Sequence, residues 1–272
     1  MDYSYIRETF NKDQSNNYVL SIQLEPDGFS FYVSNKESMN TVLCFLSERF
    51  EKPGIESLTR ELSNFKEFDN TIFYKTIIIY HTDNFCLIPV EFYNTDNQIH
   101  YLRLIQNLPD DICIYSSDIQ GIKAKAVFYL PEELNGLIKV KFPSSIILHS
   151  ACPAINFGIH KTGKSCITNY YGSSISIAVF DKEELKLFNV YPVKDDNDII
   201  YFILNALKSC KQGVQETNFY FSGLGKDGSK ESIAVLKYLP NPVFYTPVLQ
   251  DMNTSDILVT KLFNHLEAMH CV

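Results

Sequence analysis

The stretch Gly158-Ile159-His160-Lys161-Thr162-Gly163-Lys164-Ser165 reads G-x-x-x-x-G-K-S, the pattern of a loop that cradles nucleotide phosphates. That chemistry needs a strand running straight into the loop. It also needs a helix starting at Lys164-Ser165, whose N–H groups and dipole hold the phosphate. The residues that follow, Cys166 to Gly172 (CITNYYG), are rich in β-branched and aromatic side chains and make a poor helix. The strand before the stretch ends near His149, and Pro153 intervenes. Ile177 to Asp181 imitates a Walker B strand but comes too soon for a crossover. The stretch is therefore read as a joint between two similar halves. Its glycines suit a hinge, and Lys164-Ser165 opens the next strand.

The halves are similar in the order of their elements. Before the joint, Tyr18 to Leu24 reads as a strand, Glu25-Pro26-Asp27-Gly28 as a turn, and Phe29 to Ser34 as a returning strand. Thr41 to Phe50 reads as a third strand. A helix follows Pro53 with Ile55, Leu58, Leu62 and Phe65 on one face, and the apolar run Tyr74 to Tyr80 is a buried strand. After the joint, Cys166 to Tyr171, Ile175 to Phe180 and Leu185 to Val193 read as strands. A helix capped near Asp195 carries Ile199, Ile200, Ile203, Leu204 and Leu207, and Asn218 to Phe221 is the buried strand after it. Both halves read β-β-β-α-β. Phe29 to Glu37 aligns with Ile175 to Glu183 without a gap, with Ser, Val, Lys and Glu coinciding.

Between the halves the pattern breaks. Phe85 to Val90 reads as a strand, Gln98 to Gln106 as a small helix, and Ile112 to Tyr115 with Ala124 to Leu130 as a strand pair. Pro131-Glu132-Glu133-Leu134 starts a helix and Ser145 to His149 is another buried strand, with a helix around Ala154. Met1 to Asn17 reads as a frayed arm. The C-terminus reads as a helix capped by Ser255 with Leu258, Leu262, Leu266 and Met269 as its stripe.

The chain of 272 residues is 45% hydrophobic and 21% charged, an ordinary globular composition. A net charge of −8, with 24 Lys and Arg scattered singly among acids, disfavours nucleic acid and anionic membrane surfaces as partners. The seven cysteines form no C-x-x-C pair and read as free, mostly buried thiols of a cytoplasmic protein. The N-terminus has no apolar signal segment, and no apolar run approaches the ~20 residues of a membrane span.

Other reactive pairs have bland readings. In His149-Ser150-Ala151-Cys152, no third group orients the His, and Cys152 reads as a packed thiol. His270-Cys271 lacks further ligands at zinc spacing. The acids at 195, 196 and 198 read as a helix cap rather than a cation site.

A duplicated β-β-β-α-β unit whose first strand pair closes on a tight turn resembles the actin-like superfamily of actin, heat-shock chaperone ATPases, sugar kinases and pilus or division ATPases. Within it, the chain looks most like a small uncharacterised bacterial family, a domain of unknown function with an actin-like ATPase fold. The resemblance implies an α/β protein with a duplicated ribonuclease-H-like fold. Its two domains, at 1–162 and 163–272, would each carry a mixed sheet flanked by helices, with 85–130 inserted in the first. In that superfamily, a D-x-G signature on the first strand pair of each half holds phosphates and the metal. Carried over, it falls on Ser21-Ile22-Gln23 and Asn169-Tyr170-Tyr171, so neither copy keeps its acid or its Gly. A hydroxyl or amide has no charge for Mg²⁺-bound water, and Gln23 or Tyr171 in place of Gly crowds the approach to a phosphate. The Gly-rich turn that packs on adenosine corresponds to Ser222-Gly223-Leu224-Gly225.

The expectation is a non-catalytic actin-like scaffold that binds protein partners, with no catalytic residues, cofactor or metal. The alternative is a nucleotide-binding protein that holds Mg-ATP in a divergent cleft. A P-loop nucleotidase is the third reading.

Overall fold

In the first half, the strand β2 (Tyr18–Glu25) turns at Pro26 and Asp27 into β3 (Gly28–Asn35), the two pairing from Tyr18↔Asn35 to Glu25↔Gly28. The computed structural model describes residues 3–6, 10–46, 54–64, 66, 68–224, 229–247 and 260–272. It divides into two compact units, the first formed chiefly by residues up to Ile119 and by Lys123–Cys152, the second chiefly by Pro153–Val248 and the C-terminal segment.

In the first unit β3 pairs with β4 (Thr41–Leu46), and β2 lies parallel to β5 (Lys75–Tyr80). The run KTIIIY has no alternation because β5 is a central strand, parallel on its other side to β9 (Ile146–His149). The helix α1 (Ile55–Asn64) buries Leu58 and Leu62; Phe65, expected on the same face, lies outside the described residues. Met1 to Asn17 is not a frayed arm throughout. Tyr3–Ile6 forms β1, antiparallel to β4, so the sheet runs β1-β4-β3-β2-β5-β9. The expected extension of the third strand over 47–50 also lies outside the described residues.

The span that broke the repeat holds a separate three-stranded antiparallel sheet. It has β8 (Ala124–Pro131) between β6 (Phe85–Pro89) and β7 (Ile112–Ile119), with the short helix α2 (Gln98–Arg103) after β6. Pro131 then leads α3 (Glu132–Lys141), whose first turn carries Glu132 and Glu133 against the helix dipole. α3 packs on α1.

The stretch Gly158 to Ser165 is no phosphate loop. Gly158 belongs to the helix α4 (Ala151–Ile159), and Lys164-Ser165 opens the strand β10 (Lys164–Tyr170) where a helix would be required. Gly158 serves packing: a Cβ there would come within 2.1 Å of the Phe180 ring, which is fully buried.

In the second unit, β10 pairs with β11 (Ser174–Asp181), β11 with β12 (Glu184–Pro192), and β10 lies parallel to β13 (Thr217–Ser222). A two-residue edge strand, β14 (Val243–Phe244), completes the order β12-β11-β10-β13-β14. Asp195 caps α5 (Asp196–Ser209) by accepting from the Asn197 N–H, and Asp198 accepts from the N–H of Lys194 and Asp195. These acids form a capping box, as their position before an apolar stripe implied. Ile175, Ile177 and Val179 of β11 share one core with Ile199, Ile203 and Leu207 of α5 and Val235 of α6 (Lys230–Tyr238). The C-terminal helix α7 covers Phe263–Ala268, with Leu262 buried at its start; Ser255 and Leu258 fall outside the described residues.

The units share register as well as order. In each, the third strand carries a bulge, between Val33/Ser34 on the partner strand in the first and Val179/Phe180 in the second. These are the same two positions of the repeat alignment. The extra residue is Val42 in β4 and Lys186 in β12.

Candidate functional site

Each unit has one hairpin where the actin-like resemblance puts phosphate chemistry. The registers show which residues correspond. Gln23 of β2 lies opposite Ser30 and beside Ile79 of β5. Asn169 of β10 lies opposite Ser176 and beside Ser222 of β13. Ser30 and Ser176 are one position of the repeat, so Gln23 is the counterpart of Asn169. Ser21 sits further from the turn, opposite Tyr32 and buried, and its counterpart is Ile167.

The two amides are used differently. Gln23 is buried and its Nε2 donates to Glu25 Oε1 on its own strand, while its Oε1 has no partner. Asn169 accepts on Oδ1 from Ser222 Oγ at 2.7 Å, across to the neighbouring strand, while its Nδ2 has no partner. Gln23, Asn169 and Ser222 are all at most 4% exposed, but Glu25 is only partly buried, so the second arrangement lies inside the protein and the first reaches its surface.

The turn after β13 is built close against the same hairpin. Gly223 has φ +73°, and a Cβ there would meet the Tyr170 carbonyl oxygen at 2.0 Å. Only Gly allows this approach. Its N–H donates to the Thr260 carbonyl at 3.1 Å. Leu224 turns into the core of α5 and α6. Gly225 lies outside the described residues. Of the residues singled out in the second half, the structure thus gathers Asn169, Ser222 and Gly223. Tyr171 makes a separate bond, its hydroxyl accepting from Asn264 Nδ2 at 3.0 Å.

Asn264 was not legible beforehand: it stands on α7, far along the chain, in an ordinary apolar stripe. It is buried, and its Oδ1 has no partner. The two second-unit pairs, Asn169 with Ser222 and Tyr171 with Asn264, are electrically neutral. They have donors and acceptors to orient a polar group but no carboxylate to hold metal-bound water and no cation to offset a phosphate. On the first hairpin Asp27, in the turn, is a buried carboxylate, 2% exposed.

The other reactive residues are committed to structure. His149 accepts on Nδ1 from the Ala151 N–H at 3.0 Å, so its Nε2 carries the proton and donates to the Thr82 carbonyl at 3.0 Å. Its ring stacks on Phe85 at 4.3 Å, and burial pulls its pKa down to about 4. Cys152 is not paired with it. The thiol lies 3.2 Å from Ser117 Oγ, and burial pushes its pKa up to about 11, which keeps it un-ionised and unreactive. Ser150 meets a different ring, with its Oγ 2.9 Å from His81 Nδ1. This Ser–His pair arises because β5 and β9 end side by side, a tertiary fact with no local signal. Both residues are at most 1% exposed, which denies them substrate. Burial, and secondarily the neighbouring His149, hold His81 well below the ordinary imidazole pKa. Lys164 forms an exposed ion pair with Glu216 at 2.9 Å, and Cys271 Sγ packs on the Glu267 carbonyl at 3.4 Å. All seven cysteines are free. Among the described residues, no three His, Cys, Asp or Glu side chains group as metal ligands, and no helix is long and apolar enough to cross a membrane.

Residues 7–241 match the family described as protein of unknown function (DUF3822). The chain belongs to this family. Its fold is that of the actin-like ATPases. A Bacteroides thetaiotaomicron protein with an actin-like ATPase fold and unknown function superposes with a TM-score of 0.77 at 19% identity, covering 97% of this chain and 100% of that one. A chain of the PilM-PilN type IV pilus biogenesis complex gives 0.56 at 10% identity, covering 93% of this chain and 98% of that one. The cytoplasmic domain of EpsL, an inner membrane component of the Vibrio cholerae type II secretion system, gives 0.49 at 12% identity, covering 93% and 95%. No curated protein matches the chain. The α/β reading with a duplicated ribonuclease-H-like unit stands on this fold.

Proposed function

We propose that this protein is a non-catalytic member of the actin-like superfamily, a scaffold or binding module for a protein partner. The observation that carries the reading is the bond from Ser222 Oγ to Asn169 Oδ1, 2.7 Å long and buried. It fills the acid position of the second hairpin with a neutral, internally bonded amide. The first hairpin does the same through Gln23 and Glu25. A hydrolase needs the opposite, a carboxylate free to hold a metal-bound water. The fold recurs in a complex of two proteins, PilM with PilN, which supports a protein partner by analogy of fold alone. The division into domains at 1–162 and 163–272, with 85–130 inserted, and a cytoplasmic location belong to the same proposal. The separate sheet β6-β8-β7 and the seven free thiols support them.

A second reading, nucleotide binding without the usual acids, draws on Asn169 Nδ2 and Asn264 Oδ1, a buried donor and a buried acceptor without partners. Calorimetry with Mg-ATP separates the two. Binding at micromolar concentration that disappears in Asn169→Ala would favour the second. Absence of heat in a folded protein is expected from the first.

A further inference from the structure

The duplication supplies an internal control for the helices that cover each sheet. α1 stands between β4 and β5 as α5 stands between β12 and β13. α3 leads to β9, parallel beside β5, as α6 leads to β14, parallel beside β13. The pairs α1–α3 and α5–α6 are therefore counterparts, each packed side by side. The first pair turns an ordinary solvated face outward. It exposes Glu56, Arg60 and Ser63 of α1, with Arg60 paired to Glu61 at 3.1 Å, and Glu132, Glu133 and Lys139 of α3. Among its described residues, Val140 is the one exposed large apolar side chain.

The second pair is the reverse. Tyr201 and Leu204 of α5, one turn apart, are 60% and 40% exposed. Ile233 and Leu236 of α6, again one turn apart, are 54% and 49% exposed. Single apolar residues are normal on a surface, whereas four on two touching helices form a patch of the kind that marks an interaction site. Tyr201 is also held in place. Its ring stands edge-on to Phe202 at 5.2 Å, and Phe202 stacks on Tyr191 at 4.6 Å. A ring already fixed loses little freedom on binding.

Charge and area decide what fits. Lys208, Lys230 and Lys237 are exposed on the same two helices, and none forms an ion pair with a described residue. The acids beside them are committed: Glu231 accepts from the Tyr170 hydroxyl at 3.1 Å, and Asp195 and Asp198 form the α5 capping box. Helices of 14 and 9 residues lying side by side present a face of roughly 400 Å². That is half of the about 800 Å² each partner buries in a standard stable complex, so the face suits one helix better than a second copy of the chain.

We propose that the α5–α6 face docks an acidic amphipathic helix of a partner protein. Its apolar stripe lies on Tyr201, Leu204, Ile233 and Leu236, and its carboxylates meet the three lysines. This is the helix-in-groove mode of recognition. It rests on the scaffold reading and names its docking surface.

The test pans the full chain against a displayed library of helical peptides of about fifteen residues, with Leu fixed along one face and the outward positions drawn from Glu, Gln and Lys. Enrichment of Glu-rich members is expected. Tyr201→Ala should weaken their binding about thirtyfold, as loss of an anchoring aromatic does. Lys208→Glu combined with Lys237→Glu should turn the preference from Glu to Lys. These side chains are exposed, so the melting curves should not move; where one does, Ile233→Asp decides, with binding lost. Arg60→Ala on the counterpart helix should leave affinity unchanged. No enrichment, enrichment without regard to charge, binding that survives Tyr201→Ala and Ile233→Asp, or loss through Arg60→Ala overturns the site. A dimer in sedimentation that Ile233→Asp abolishes overturns the partner, since the occupant is then a second copy. None of these results touches the scaffold reading, which falls to Mg-ATP binding with phosphate release that Asn169→Ala abolishes, whatever the peptides do.

Discussion

The hairpins β2–β3 and β10–β11 share turn position, register and the bulge that follows, yet their polar side chains are connected differently. Next to Gln23, on the parallel strand, stands Ile79; next to Asn169 stands Ser222. The first amide therefore turns along its own strand to Glu25, and the second bonds across to β13. Backbone geometry is common to both halves while the hydrogen-bond partners are not. A sheet register tolerates this because it is set by apolar alternation and turn geometry, not by which polar partner a single side chain finds. The same comparison isolates β1 and the three-stranded sheet of the first unit, neither of which has a counterpart among the described residues of the second.

Acid should separate the halves most strongly. His81 and His149 are buried in the first unit and His265 in the second, each held below the ordinary imidazole pKa by burial, His149 at about 4 and His265 at about 3. The folded protein keeps them neutral, while in the unfolded chain they protonate near pH 6.5. Stability is therefore complete above about pH 6.5 and falls as pH drops towards 4, by up to about 1.4 kcal/mol per pH unit for each His. Hydrogen exchange at stepped pH should show the first unit opening before the second; simultaneous opening would mean the His81–His149 pair is better satisfied than its geometry implies.

Gly223→Ala comes next. The positive φ and the contact with the Tyr170 carbonyl should cost about 3 kcal/mol or more, read as a lower denaturation midpoint, with the second unit affected first. A stable Gly223→Ala protein would show that the turn relaxes away from the hairpin.

Ser222→Ala tests the cross-strand bond itself. It strands Asn169 Oδ1 inside the second unit and should cost about 1–3 kcal/mol. The matching change, Gln23→Leu, removes the first amide and its bond to Glu25 together, leaves no buried half of a pair, and should cost less. Equal costs would dissolve the contrast between the hairpins. Lys164→Ala should have the smallest effect. Its bond is an exposed ion pair to Glu216, and its removal should leave the melting curve unchanged within error.

Much of the fold was legible because it is local. Turn residues at Pro26-Asp27-Gly28 and Gly172-Ser173, unbroken apolar runs such as Ile77-Ile78-Ile79, and the Asp195 cap each announce themselves over a few residues. β1 was not legible, since Tyr3–Ile6 owes its strand conformation to the edge of β4, and neither were α6 and β14, which were not foreseen. The P-loop pattern failed for the same reason in reverse: four matching letters in eight positions say nothing about the helix they would require, and Gly158 is explained by the Phe180 ring. At the candidate site, residue types were readable but not correspondence. Without an Asp or Gly to anchor the signature, the sequence puts its acid position on Ser21 in the first half, whereas the register makes Gln23, opposite Ser30, the counterpart of Asn169. Asn264 and the His81–Ser150 pair depend on distant segments meeting.

The central claim is that the chain keeps the actin-like fold without its chemistry. Isothermal titration of the full-length protein with Mg-ATP, followed by assay for released phosphate, addresses it most directly. The account predicts no binding heat and no phosphate from a folded sample. Micromolar binding with phosphate release, abolished by Asn169→Ala, would contradict it.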